Sequence, residues 1–118
     1  MKSAPEMFAD AKTRVAEVSA ADTIAKRATD GAVVLIDVRE DREWNLGHAA
    51  GAHHMSRGTL ESKIDAVVPR DATVVLYCAS GNRSALAAES LKLMGYTDVA
   101  SMSGGFRAWV DADGDVEG

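Results

Sequence analysis

The chain is poor in the residues that would staple a fold or build a metal centre. It has one cysteine in 118 residues, which excludes an internal disulfide and a zinc site built on several thiolates. Three histidines with no dense ligand cluster around them argue against a metal enzyme, and no metal or organic cofactor is expected. No run of about 18 apolar residues occurs, so no membrane span is expected. The net charge is −5 and there is no Lys/Arg cluster, a balance that argues against nucleic acid as a partner. The opening Met1-Lys2-Ser3-Ala4-Pro5-Glu6 lacks the apolar stretch of a secretory leader, so a reducing, cytoplasmic location is the expectation. At this length one domain buries roughly two-thirds of its unfolded surface and needs neither disulfide nor metal to fold.

What is present is an alternation of short apolar runs and helical stretches. The β-branched runs over 33–38 and 73–78 are continuous, as suits strands covered on both faces. Weaker strand signals lie at 16–19, 52–55 and 99–102. Helices are expected over 5–15, 21–29, 40–46, 59–68, 84–94 and 105–111, several of them closed by Gly or Pro: Gly31, Gly47, Pro69 and Gly95. In the 84–94 helix, Ala87, Leu91 and Met94 form one buried stripe and Leu86 and Leu93 a second, with Glu89 and Lys92 at the wet edge. The pattern implies an α/β domain with a central, mostly parallel sheet of about five strands and helices on both faces. It is preceded by a helical extension over 1–15, free to pack on the domain or on another chain, and followed by a flexible acidic tail over 113–118. Oligomeric state is left open by the sequence.

In an open parallel sheet, ligands bind beyond the carboxyl ends of the strands. Beyond the second strong run stands Cys78-Ala79-Ser80-Gly81-Asn82-Arg83-Ser84. Its small, turn-prone residues suit a loop whose N–H groups converge on an anion. The helix that follows adds its positive end, and Arg83 adds a fixed charge and a planar fork of donors. Each favours thiolate over thiol, against an ordinary cysteine pKa of about 8.5. Cys78 is therefore the candidate nucleophile. The plain alternative is a core cysteine at a strand end.

Four motifs make the chain resemble the rhodanese family of sulfurtransferases, in particular its single-domain members. They are Leu35-Ile36-Asp37-Val38-Arg39 followed by Glu43-Trp44; Gly47-His48-Ala49-Ala50-Gly51-Ala52; Tyr77 with the Cys78 loop; and Gly95-Tyr96, Val99, Gly104-Gly105-Phe106 and Trp109. The resemblance implies a rhodanese-like domain over 16–112. It implies that Cys78 takes the outer sulfur from a small anionic donor such as thiosulfate, carries it as a persulfide, and yields it to an acceptor. The N–H groups of Ala79, Ser80, Gly81, Asn82 and Arg83 would cradle the transferred sulfur, Arg83 and Ser84 would complete the donor site, and Asp37 and Arg39 would brace the loop from behind. With no second cysteine the acceptor is external: cyanide, a thiol, or a carrier protein. The chain departs from the family where a proline commonly stands between His48 and Gly51 and another in the short strand after it; Ala49-Ala50 and Met55-Ser56 stand there, which implies a more mobile segment.

Two rival readings remain. One is a rhodanese-like module that binds a partner or senses redox state without turnover. The other is a cysteine-dependent phosphatase, whose loop would carry one more residue between Cys and Arg than the Cys-x4-Arg seen here. Among other residues, His48 reads as structural rather than as a general base. Adjacent His53 and His54 point to opposite faces of an extended segment and do not suit one metal. Arg57 and Glu61 read as a solvated helix end, and Trp44, Phe106 and Trp109 as core or pocket wall.

Overall fold

The two continuous apolar runs lie side by side in the middle of the sheet. A computed structural model describes all residues 1–118. In chain order the elements are α1 (Ala4–Lys12), β1 (Ala16–Val18), α2 (Ala20–Thr29), β2 (Val34–Asp37), α3 (Asp41–Asn45), β3 (His48–Ala49), β4 (His53–His54), α4 (Leu60–Val67), β5 (Thr73–Tyr77), α5 (Asn82–Leu93), β6 (Asp98–Met102), α6 (Gly105–Asp111) and β7 (Val116–Glu117). Five strands form one sheet in the order β1-β6-β5-β2-β4, every pair parallel. The expected architecture is the one found.

Strand periodicity sends alternate residues to opposite faces. Ile36, Val38, Val74, Leu76 and Cys78 face one layer, where they pack with Leu60 and Ile64 of α4 and Ala87, Ala88 and Leu91 of α5. Leu35, Val75 and Tyr77 face the other, against Ala20 of α2 and Trp109 of α6. Alanines on α5 let that helix lie close over the sheet. Its second expected stripe fails: Leu93 is 87 % exposed, so only the Ala-rich side of α5 is core.

The N-terminal extension packs on the domain. α1 carries a reciprocal cap between Ser3 and Glu6. It buries Ala11, and Arg14 just beyond it pairs with Glu89 of α5. Lys92 of α5 donates to the Arg14 carbonyl at 2.6 Å. The tail also departs from expectation. Instead of fraying, Val116 and Glu117 pair antiparallel with Ala49 and His48. The Ala50 N–H donates to the Asp115 carbonyl at 2.9 Å. A proline at 50 would lack that donor. No helix is long and apolar enough to cross a membrane.

Candidate active site

β5 delivers Cys78 at its carboxyl end, and α5 begins at Asn82. Gly81 joins them as the helix N-cap with φ of 96°, a left-handed conformation that a side chain would strain. That turn aims the Gly81 N–H at the Cys78 sulfur, 3.1 Å away. Ser84 Oγ, one turn into the helix, lies 3.5 Å from the same sulfur. Ser84 in turn bonds Ser101 of β6, Oγ to Oγ, at 2.8 Å. Both serines are fully buried, so this is a fixed hydroxyl pair behind the thiol. Burial pushes the Cys78 thiol up. The Ser84 hydroxyl and the backbone N–H groups of Ser84, Ser80 and Gly81 outweigh it, leaving the thiol below its ordinary value. Hydrogen bonds, rather than the Arg83 charge, lead that lowering.

The loop is held from behind by α6. The Phe106 N–H donates to the Cys78 carbonyl at 2.7 Å. This approach needs Gly105: a Cβ there would stand 2.3 Å from the Cys78 carbonyl oxygen. The Gly104-Gly105 pair noted in the sequence thus lets one backbone lie against the other.

Asp37 and Arg39 lie on the sheet face opposite the thiol. Arg39 forks onto both Asp37 carboxylate oxygens at 2.9–3.1 Å and donates to the Gly47 carbonyl at 2.7 Å. Tyr77 donates to Asp37 Oδ2 at 2.5 Å and accepts from the Ala49 N–H. Burial, then the Asp37 hydrogen bond, holds the Tyr77 phenol above its ordinary value. The Arg39 guanidinium also sits over the Phe106 ring at 4.3 Å. The pair reaches the Cys78 loop through Tyr77 and Phe106.

Arg83 is engaged elsewhere than the sequence suggests. Its two terminal nitrogens bond the two Glu43 oxygens at 2.9 and 3.1 Å. That guanidinium holds the Glu43 carboxyl down at about 2. Asn82 accepts from Lys12 of α1 at 3.0 Å through its side-chain oxygen. Arg57 pairs with Glu61 along α4, and Glu61 also accepts from Ser90. Trp44 is sandwiched between the His48 and His54 rings, with centroids at 3.3 and 4.8 Å. His48 Nδ1 lies 3.0 Å from the Trp44 carbonyl and His54 Nε2 2.9 Å from the Arg39 carbonyl, so both imidazoles brace loops.

Three residues at the site escaped sequence reasoning: Lys12, Ser101, and Glu43 in its role as the Arg83 partner. Ser101 left a trace, a buried polar residue in an otherwise apolar strand. Glu43 stood in a quoted motif without an assigned partner. Lys12 left none, because its partner is 70 positions away.

The profile of the rhodanese-like domain matches residues 20–112. Over 78 residues the chain is 40 % identical to the probable adenylyltransferase/sulfurtransferase MoeZ of Mycobacterium tuberculosis; this covers 65 % of the chain and 20 % of that protein. Of the solved structures, a Rhodopseudomonas palustris protein of unknown function, described as a possible tyrosine phosphatase, superposes with a TM-score of 0.88 at 36 % identity, covering 99 % of this chain and 96 % of the other. A rhodanese-related protein from Thermoplasma volcanium gives 0.76 at 29 % identity, covering 86 % and 97 %. With the profile matched over most of its length and the same architecture in its neighbours, the chain belongs to the rhodanese-like domain family.

Proposed function

We propose that the protein is a sulfurtransferase that carries sulfur on Cys78. The observation that bears most weight is the polar cradle closed around Sγ at the start of α5: the Gly81 N–H donates to it at 3.1 Å, and the Ser84 hydroxyl, 3.5 Å away, accepts from the thiol and can donate to the thiolate. Such donors stabilise a sulfur anion, whether thiolate or the terminal sulfur of a persulfide. The Cys78 thiolate attacks the outer sulfur of a donor such as thiosulfate. A new S–S bond forms, the old one breaks, and sulfite leaves with its electron pair. An acceptor nucleophile, cyanide or a thiolate, then attacks the terminal sulfur of the persulfide, and the Cys78 thiolate leaves with the electrons of that bond. Two half-reactions on one residue give ping-pong kinetics. Cys78 itself is only 1 % exposed, so sulfur passes the half-exposed Ala79, Asn82 and Arg83 to reach it. The identity of the relative from Mycobacterium tuberculosis supports this class of chemistry.

Phosphoester hydrolysis is the second reading, drawn from the description of the Rhodopseudomonas palustris neighbour. It is the weaker one, because the Cys78-to-Arg83 loop is one residue short of the phosphatase pattern and Arg83 has both terminal nitrogens on Glu43. The deciding experiment is thiocyanate formation from thiosulfate and cyanide, run beside hydrolysis of an aryl phosphate. Turnover of thiosulfate by the wild type and none by Cys78→Ala is the expected result, with a wild-type mass increment of one sulfur atom after exposure to donor alone. Aryl phosphate turnover without thiocyanate would reject the sulfurtransferase assignment.

A further inference from the structure

Three arginines, Arg83 of the loop, Arg57 and the buried Arg39, are already paired with carboxylates. Arg83 forks onto Glu43, Arg57 pairs with Glu61, and Arg39 is buried against Asp37. A donor with two negative charges gains little from these paired cations, in a protein of net charge −5. Lys12 differs from them in being bonded to a side chain of the loop while having no carboxylate partner. No carboxylate lies within 4 Å of its ammonium, which is fixed to the loop by the hydrogen bond to Asn82 Oδ1 at 3.0 Å. An ammonium has three N–H donors, so two stay available to a ligand. Lys12 is half-buried, and α1 is latched to α5 by the Arg14–Glu89 pair and the Lys92–Arg14 carbonyl bond. The position of the charge is therefore built into the fold.

Lys12 also lies outside the family domain, whose match begins at residue 20. We infer that Lys12, supplied by the N-terminal helix, is the residue that selects anionic over uncharged sulfur donors at the Cys78 loop. The inference rests on the sulfurtransferase reading for its substrate class, while the placement of the charge can be tested without it.

The full-length chain and its Lys12→Met and Lys12→Arg variants are compared in two assays. In turnover, Lys12→Met raises KM for thiosulfate about fivefold, the size of one partly screened ionic contact, with kcat within about twofold. Its rate with an uncharged organic trisulfide stays at the wild-type value, and Lys12→Arg restores the thiosulfate KM. In alkylation of Cys78, the ratio of iodoacetate to iodoacetamide rate constants falls about fivefold in Lys12→Met and recovers in Lys12→Arg. Equal slowing with both donors and both alkylating agents would mean that Lys12 merely holds the loop, and the inference is overturned. An unchanged alkylation ratio overturns it whatever the turnover assay gives. A wild type that moves sulfur from neither donor, with the alkylation ratio still falling in Lys12→Met, rejects the sulfurtransferase reading and keeps the anion-selecting role.

Discussion

At Cys78 two opposed effects are set against each other: a nearly buried sulfur resists ionising, and a set of fixed hydrogen-bond donors promotes it. The donors win, and Ser84 is the one that a single substitution removes cleanly, because its hydroxyl lies on Sγ and on Ser101. Losing a hydrogen bond to a charged group costs about 1.5–3 kcal/mol, so Ser84→Ala raises the Cys78 pKa. The pH profile of alkylation by iodoacetamide reads this directly, its midpoint moving to higher pH with the plateau unchanged. A midpoint that stays in place would show that the backbone N–H groups suffice. The local motif made the loop, its Gly81 turn and the candidate cysteine legible. The hydroxyl behind Ser84 was not, because Ser101 belongs to another strand and reaches the site only through the packing of β6 on β5.

Elements hold this site by their ends. α5 presents its first turn to the sulfur, α6 presents its first turn to the Cys78 carbonyl, and α1 presents its last residue to Asn82. The parallel sheet and its two helical layers could be read from the sequence, since continuous β-branched runs imply strands covered on two faces; the strand order could not. Neither could the tail. Residues 113–118 are small and acidic, which reads as fraying, yet their pairing with β3 depends on backbone donors that no side-chain pattern announces. Ala50→Pro tests that pairing. It removes the donor to the Asp115 carbonyl, so amide exchange at Val116 and Glu117 accelerates at least tenfold while global stability falls by about 1 kcal/mol, one hydrogen bond's worth. Exchange that stays at the wild-type rate would show that the tail is held by its other contacts, among them the Trp109 Nε1–H bond to the Asp115 carbonyl at 2.8 Å.

Across the whole molecule, the candidate site draws on residues as distant in sequence as Lys12, Glu43, Cys78 and Ser101, so its integrity depends on the fold staying closed around it. The Glu43–Arg83 pair ties α3 to α5 across the loop mouth, and it makes that closure sensitive to acid. Glu43 is depressed in the folded protein to about 2 from an ordinary 4.5. Its contribution to stability is therefore fully present above pH ~4.5 and drains away as pH falls toward ~2, where the folded carboxylate itself takes up a proton. The pair is partly solvated, so screening reduces its worth to the order of 1 kcal/mol. Urea unfolding of the wild type over that window should lose about this amount relative to Glu43→Gln. The variant is less stable at neutral pH, and the two curves converge as the wild-type carboxylate is protonated. Parallel curves from pH 7 down to pH ~2 would mean that the Arg83 contact contributes nothing to the folded state, and that the guanidinium is free to turn toward a ligand at no cost in stability.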